Sequence, residues 1–158
     1  MLDPLENGIG PEVDLVHVTE DGRRENVRLK KILRSEADWV KDLDATEFCV
    51  TRQQATERPF SGEHWDNHES GLYRCACCGT ALFQSGGKFE SGTGWPSFFS
   101  PVAEQNLAIR SDRSHGMERV EVLCKKCDAH LGHVFEDGPK PTGLRYCINS
   151  AALKFVKS

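Results

Sequence analysis

The chain has 158 residues, 38% of them hydrophobic, and a formal net charge of −4. This length is sufficient for one domain with a buried core, and the acidic balance argues against nucleic acid or an anionic membrane surface as the main partner. No apolar run approaches the roughly 18 residues of a membrane-spanning helix. Residues 1–6 lack the basic start and apolar stretch of a signal peptide, so we expect a cytoplasmic protein.

The first 34 residues differ in charge pattern from the rest of the chain. Every charged residue up to Asp21 is acidic, and most of those from Arg23 to Arg34 are basic. A run of apolar residues around Leu15 is followed by Asp21-Gly22, a pair that favours a turn. We expect residues 1–34 to form an N-terminal extension, either a small hairpin or a loosely attached segment. Residues 35–158 are expected to form a single domain.

Two helix starts follow the extension. Ser35 with Asp38, and Asp44 with Glu47, have the spacing of side chains that cap the first turn of a helix. The second of these helices carries Cys49. The sequence therefore predicts two short helices at the beginning of the domain.

From Leu72 onward the pattern is that of β-strands. Short runs of apolar or alternating residues recur, and Gly and Pro separate them. Many short strands with dense turn residues are typical of a compact sandwich or barrel. The predicted fold class is therefore mainly β.

Four of the seven cysteines form two CxxC pairs, Cys75 with Cys78 and Cys124 with Cys127. Two intervening residues allow both sulfurs of a turn to reach one ion, and two such turns make a closed tetrahedral site. A redox role for each pair is the alternative, but two pairs in the same sequence context favour a metal. We expect one structural zinc ion per chain, with Cys77 as a spectator between two ligands.

The segment Leu144–Ser150 alternates between apolar and polar residues, as a strand does. The alternation puts Arg145, Cys147 and Asn149 on one face. A cation beside a thiol favours the thiolate, which is the reactive form. The alternative is an unreactive, half-buried cysteine on a strand with a polar outer face.

Two histidines and an aromatic turn are further candidates for a site. His130 and His133 follow the second CxxC pair closely and could supply protons or orient a substrate, or could be structural. Residues 94–99, GWPSFF, form a rigid aromatic turn that belongs to the core or walls an apolar pocket.

Several blocks in this chain resemble the signature blocks of the methionine sulfoxide reductase B family. They are TE at 56–57, PFSG at 59–62, SGTGWPSF at 91–98, CDAHLGHVF at 127–135, DGP at 137–139 and RYCINS at 145–150. With the cysteine pairs, the resemblance covers approximately residues 40–156. It implies two antiparallel sheets in a compact, barrel-like domain with short N-terminal helices. It also implies a peptide-methionine (R)-S-oxide reductase that acts mainly on proteins and uses no organic cofactor.

The resemblance also assigns roles to individual residues. It implies that Cys147 is the nucleophile and that the reaction leaves it as a sulfenic acid. It implies that Trp95 packs against the methyl group of the substrate. Phe135 is the second residue implied to bind the substrate. Four polar side chains are implied to surround the thiol and the sulfoxide: His130, His133, Arg145 and Asn149.

A second thiol must return the sulfenic acid to the reduced state. Many members of the family carry a resolving cysteine where this chain has Thr93, and some carry one where it has Ser61. We therefore expect thioredoxin or a small thiol to reduce the sulfenic acid directly. The alternative is Cys49, which lies outside both cysteine pairs and outside the reactive strand.

Two other function classes account for part of the sequence. A zinc-ribbon interaction module explains the four ligands but not the polar face that carries Cys147. A hydrolytic zinc enzyme would use His130 or His133 as a ligand and would bind a second zinc ion. From its size alone we expect a monomer. The resemblance implies that its partners are oxidised proteins and a thiol reductant.

Overall fold

A computed structural model describes all 158 residues and contains eleven β-strands and two α-helices. The helices are α1 (Glu36–Asp42) and α2 (Ala45–Gln53). The strands are β1 (Glu12–Val18), β2 (Arg24–Lys30), β3 (Gly71–Cys75), β4 (Ala81–Gln84), β5 (Lys88–Phe89), β6 (Ser97–Phe98), β7 (Leu107–Asp112), β8 (Arg119–Cys124), β9 (His130–Phe135), β10 (Arg145–Ile148) and β11 (Leu153–Lys157). The prediction of a mainly β fold with two short helices is confirmed. Neither helix is long and apolar enough to cross a membrane.

The strands form three antiparallel sheets. Strands β1 and β2 pair with each other, β11, β3 and β4 form a second sheet, and β5, β6, β10, β9, β8 and β7 form a third in that order. The predicted pair of sheets in a barrel-like arrangement is not observed, because no sheet closes. Strands β5 and β7 remain unpaired edges of the largest sheet. Strand β5 has only two residues, too few to extend the hydrogen-bond ladder around a barrel.

Both helices begin where the capping pattern predicts. The Ser35 hydroxyl accepts a hydrogen bond from the Asp38 backbone N–H at the start of α1. At the start of α2, Asp44 accepts from the Glu47 backbone N–H at 2.8 Å, and the Glu47 side chain accepts from the Asp44 N–H at 2.9 Å. Each bond satisfies a backbone donor that the helix itself leaves free.

The N-terminal residues form a hairpin that packs on the rest of the chain. Strands β1 and β2 pair from Glu12 opposite Lys30 to Val18 opposite Arg24. Val16 and Val18 join a small apolar cluster with residues of β3 and β4. The side chain of Asn106, which is fully buried, accepts from the Val16 backbone N–H and donates to its carbonyl oxygen, both at 2.8 Å.

The main core lies between the six-stranded and the three-stranded sheet. Phe98 of β6 stacks on Phe83 of β4 with ring centroids 4.4 Å apart, and Tyr73 of β3 meets Phe98 edge-on at 5.2 Å. Tyr146 and Ile148 of β10 point into the same core. The alternate residues of this strand, Arg145 and Cys147, lie on its other face and point away from the core, as the alternation predicts.

Candidate active site and metal centre

Four cysteine sulfurs from two turns lie within 4.8 Å of one another. Those of Cys75 and Cys127 are 3.7 Å apart, and those of Cys78 and Cys124 are 3.5 Å apart. A tetrahedral zinc site with Zn–S bonds of about 2.3 Å requires sulfur separations of about 3.8 Å. All four side chains are buried and none forms a disulfide. The donor set therefore fits a four-coordinate metal ion.

The two turns have the same backbone geometry. In residues 75–79, the first knuckle, the Gly79 N–H donates to the Cys75 carbonyl oxygen at 2.9 Å. In residues 124–128, the second knuckle, the Asp128 N–H donates to the Cys124 carbonyl oxygen at 2.8 Å. Both closing residues adopt the left-handed conformation, with φ of 78° and 61°. Cys77 is buried in the first knuckle but lies outside the four-sulfur group.

A second site lies on the outward face of β10, where a pocket of about 230 Å³ reaches the Cys147 thiol. Cys147 is half-buried and stands opposite His133 of β9 and Ser97 of β6. The pocket is lined by Thr56, Thr93, Trp95, Arg119, Gly132, His133, Phe135, Arg145, Cys147 and Asn149. The structure thus brings six of the predicted site residues together around one pocket.

Gly132 permits the close approach of β9 and β10 at this point. A Cβ at this position would lie 2.0 Å from the Cys147 carbonyl oxygen, far inside van der Waals contact. Only glycine therefore allows the two strands to pair where the thiol is presented.

Two opposing influences act on the Cys147 thiol. Burial raises the pKa of Cys147, while the nearby Arg145 guanidinium and Thr93 hydroxyl favour the thiolate and lower the pKa. Burial prevails, so the pKa of the thiol lies above its usual range. The sequence suggested only the effect of the cation, because it does not reveal how deeply the sulfur is buried.

Arg145 is held in place by two neighbours. Its guanidinium donates to both carboxylate oxygens of Asp137, at 2.9 and 3.2 Å. It also lies over the Phe135 ring, 4.5 Å from the centroid. The carboxylate and the ring orient the planar cation, so that it flanks the thiol from a fixed direction.

His133 is paired with a carboxylate. Its Nε2 lies 2.7 Å from Asp112 Oδ2, and Asp112 also accepts a bond from the backbone N–H of Ser114. The Ser114 bond and the His133 bond lower the pKa of Asp112. An ionised carboxylate only accepts, so Nε2 carries the proton. Nδ1 of His133 is therefore the nitrogen without a proton.

His130 lies one layer behind His133. The two rings meet edge-on with centroids 5.6 Å apart, and His130 does not line the pocket at Cys147. Its Nδ1 donates to Glu121 Oε2 at 2.7 Å. Burial lowers the pKa of His130, so the ring is neutral and its buried Nε2 is left without a partner. His130 therefore lies behind the wall of the pocket, and its predicted place near the sulfoxide stays a prediction.

Asn149 and Trp95 are fixed through the backbone of Glu57. The Glu57 N–H donates to Asn149 Oδ1 at 3.0 Å, and the Glu57 carbonyl accepts from the Trp95 indole N–H at 3.0 Å. Asn149 Nδ2 donates to the Leu131 carbonyl at 3.0 Å. Because both polar ends of Asn149 are engaged, this side chain positions the wall of the pocket.

Three positions are relevant to a resolving cysteine, Thr93, Ser61 and Cys49, and they lie in different parts of the structure. Thr93 lies in the pocket and within reach of Cys147. Ser61 lines a different groove, next to Glu57 and Ser150. Cys49 is exposed on α2 and lines neither of these cavities. The structure therefore does not bring Cys49 to the reactive thiol.

Sequence reasoning missed the two carboxylates that hold the histidines, Asp112 on β7 and Glu121 on β8. One signal was available, since Glu121 interrupts a run of apolar strand residues and a buried acid is rare unless it is paired. Its partner Arg110 lies directly opposite it on β7, and its partner Gln54 lies just after α2, far away in the sequence. Burial raises the pKa of Glu121, but the bonds from Arg110, His130 and Gln54 outweigh it and lower the pKa.

Comparison with known proteins agrees with this geometry. Residues 43–157 match the family model of the SelR domain. The chain is 57% identical over 126 residues to a peptide methionine sulfoxide reductase MsrB of Herminiimonas arsenicoxydans, covering 80% of this chain and 92% of the relative. It is 58% identical over 124 residues to an MsrB of Bradyrhizobium diazoefficiens, with 78% and 89% covered. An MsrB of Leptospira interrogans is 54% identical over 127 residues, with 80% and 97% covered.

These matches span most of both chains and include both knuckles and the strand that carries Cys147. They confirm the resemblance that the sequence blocks indicated. The chain belongs to the MsrB family of peptide methionine sulfoxide reductases and is an oxidoreductase.

Proposed function

We propose that this chain reduces the R epimer of methionine sulfoxide in oxidised proteins, with Cys147 as the nucleophile. The observation that carries the proposal is the pocket at Cys147, which combines one thiol with apolar and polar walls. Trp95 and Phe135 offer surfaces for the methyl group and the side chain of the substrate. Arg145 and His133 offer charge and a proton on the side of the sulfoxide oxygen. The epimer preference is inferred from family membership.

In the proposed first half-reaction, the Cys147 sulfur attacks the sulfoxide sulfur and the oxygen passes to Cys147. The methionine sulfur gains two electrons, and the Cys147 sulfur loses two and becomes a sulfenic acid. The hydrogen of the thiol ends on the sulfenic oxygen, so no net proton is consumed. Burial raises the pKa of Cys147 and so favours the protonated thiol, and in the proposed reaction a base removes this proton during attack. His133 Nδ1 is suited to take it and to return it to the departing oxygen.

The sulfenic acid is then reduced by an external thiol, from thioredoxin or a small molecule. Thr93, rather than a cysteine, lies beside Cys147, and Ser61 lies at another groove. The alternative is that Cys49 resolves the intermediate, which requires a movement of α2. A Cys49→Ser variant tests this: equal turnover with thioredoxin supports direct reduction. Loss of thioredoxin-dependent turnover with retained dithiothreitol-dependent turnover supports the alternative.

We further propose that the four-cysteine group, Cys75, Cys78, Cys124 and Cys127, holds one zinc ion. Four thiolates at tetrahedral spacing suit zinc and leave no position open for a substrate. The ion would therefore act on the fold and take no part in the reaction. A hydrolytic zinc enzyme is less well supported, because His130 and His133 are each engaged by a carboxylate. An interaction module leaves the pocket at Cys147 without a role.

The cellular compartment and the oligomeric state are also proposals. Seven cysteines without a disulfide, four of them in a metal-type group, suit a reducing compartment such as the cytoplasm. We propose that the chain acts there as a monomer on oxidised proteins.

The direct test offers the purified protein each epimer of a blocked methionine sulfoxide separately, with dithiothreitol as reductant. Consumption of the R epimer alone, abolished in Cys147→Ser, is the expected result. Consumption of the S epimer alone, or unchanged turnover by Cys147→Ser, would overturn the proposal.

A further inference from the structure

The N-terminal segment, residues 1–34, lies outside the SelR match at residues 43–157. It nevertheless contacts both knuckles of the metal centre. We propose that this segment is a clamp on the four-cysteine site that retains the metal ion. The inference goes beyond the proposed reaction and rests only on the site binding zinc.

The start of the segment lies on the first knuckle. The Leu2 backbone N–H donates to the Cys77 carbonyl oxygen at 3.1 Å, between two of the four ligands. A Cβ on Gly79 would lie 2.6 Å from the Leu2 carbonyl oxygen and 3.2 Å from Pro4. The Leu2 side chain packs against the core cluster that contains the knuckle cysteines. The chain thus passes directly over the turn that presents Cys75 and Cys78.

Both ends of the segment reach the second knuckle. Lys126, which is fully buried, donates from Nζ to the Pro4 carbonyl oxygen at 3.4 Å. The Ile32 N–H donates to the Lys126 carbonyl oxygen at 2.9 Å. The Lys31 ammonium pairs with the Asp128 carboxylate at 2.5 Å. Residues on either side of the hairpin therefore hold the turn that presents Cys124 and Cys127.

The two ends of the segment are also tied to each other. The Gly8 N–H donates to the Lys30 carbonyl at 3.1 Å, and the Gly10 N–H donates to the Lys31 carbonyl at 3.0 Å. The initial arm and the residues after β2 therefore form one unit that rests on both knuckles. Local opening of a knuckle exposes the ion of a closed four-sulfur site to a chelator. Contacts that oppose opening slow the release.

The test measures zinc transfer from the full-length, zinc-loaded protein to an excess of the coloured chelator 4-(2-pyridylazo)resorcinol. The test variant combines Leu2→Ser with Lys31→Ala, which weakens the contacts with both knuckles. The matched control combines Leu5→Ser with Arg28→Ala. Leu5 is exposed on the same arm, and Arg28 pairs only with acids of β1.

The clamp predicts zinc release about five- to twentyfold faster in the test variant, from the loss of one half-buried leucine contact and one ion pair. The control variant should release zinc at the wild-type rate. Initial sulfoxide reduction should be unchanged in both, because neither touches the pocket at Cys147. If the double variant does not fold, the single variants Leu2→Ser and Lys31→Ala replace it. Each should release zinc faster than the wild type, by a smaller factor than the double variant.

Equal release rates in test and control variants would overturn the clamp and leave the proposed reaction untouched. A folded wild-type protein that holds no zinc would overturn the zinc site and the clamp together. Loss of sulfoxide reduction in Cys147→Ser is independent of both outcomes.

Discussion

Cys147 stands between a desolvating pocket and a cation. Burial raises the pKa of its thiol, and the Arg145 guanidinium opposes that rise. The balance favours the protonated thiol, and His133 stands opposite Cys147 in the β-ladder. A protonated resting thiol is also less open to unspecific oxidation, since the thiolate is the reactive form.

Replacing Arg145 by alanine should make Cys147 less reactive toward alkylating agents. The guanidinium stabilises the charged thiolate, so its loss raises the pKa of Cys147 further and lowers the thiolate fraction at neutral pH. We expect iodoacetamide to modify Cys147 several-fold more slowly near neutral pH, with the pH profile displaced to higher pH. Mass spectrometry of the Cys147 peptide measures this. An Arg113→Ala variant, which removes an exposed cation paired with Glu118, should keep the wild-type profile; identical profiles for the two variants would contradict the account.

Asp112 should affect the rate of the reaction without touching the substrate. Its carboxylate accepts from His133 Nε2 and so fixes the orientation of the ring that is the proposed base. Asp112→Asn should lower kcat by at least about tenfold, part of the gain that general acid–base catalysis supplies, with KM little changed. Steady-state kinetics separate the two constants, with the exposed Asp66→Asn as control. Wild-type kcat in a folded Asp112→Asn variant would show that His133 needs no such partner.

The site residues that could be predicted from the sequence are those that belong to continuous motifs. Arg145 and Cys147 alternate along one strand, so their common face could be predicted from period two alone. Asp112 and Glu121 could not be reached in this way, because their partners come from other strands. His130 and His133 are three residues apart, yet only His133 lines the pocket, a difference set by the packing between strands.

At the scale of the element, the pairing of β9 with β10 decides how the thiol is presented. Gly132 faces Ile148 in the ladder, and its α-carbon lies against the Cys147 carbonyl. Strand β8 pairs with β9 through a register shift after Val122. A shift of this kind depends on tertiary packing, which explains why the turns and strands could be predicted while their arrangement in three open sheets could not.

Gly132→Ala should disturb the pocket at Cys147 by moving the backbones of β9 and β10 apart. The added Cβ meets the Cys147 carbonyl oxygen at 2.0 Å, so β9 and β10 must separate. We expect a loss of about 1–3 kcal/mol in the free energy of unfolding, typical of overpacking, together with reduced turnover. Urea unfolding and the sulfoxide assay measure the two effects. Gly86→Ala is the matched control, because nothing lies within 4 Å of its added Cβ; equal behaviour of the two variants would contradict this reading of the strand contact.

At the scale of the whole molecule, the metal centre joins parts of the chain that are distant in sequence. Cys78 and Cys124 are 46 residues apart, and their knuckles follow strands of different sheets, β3 and β8. The ion would therefore hold the three-stranded sheet to the six-stranded sheet. The CxxC spacing predicted the ligands, since both sulfurs of each pair come from one turn. Which surfaces cover the knuckles could not be predicted, because the contacts come from separate parts of the chain, with residues 1–34 and Arg52 among them.

Removing the metal should unfold the protein. A structural zinc site contributes on the order of 10–16 kcal/mol of apparent binding free energy, at least as much as the usual stability of a domain, about 5–15 kcal/mol. Cys124→Ser, or chelation of the wild type, should therefore abolish cooperative thermal unfolding. Cys77→Ser is the control, because Cys77 is buried in the same region but lies outside the four-sulfur group. A Cys124→Ser variant that melts like the wild type would contradict a structural role.

In the proposed reaction the oxygen of the sulfoxide passes to Cys147. The most direct measurement is a single turnover without reductant, in which one equivalent of the R epimer is added and the sulfenic acid is trapped with dimedone. We expect up to one methionine per chain and a dimedone adduct at Cys147, detected by peptide mass mapping. Methionine formed with no modification of Cys147, or formed equally by Cys147→Ser, would contradict it.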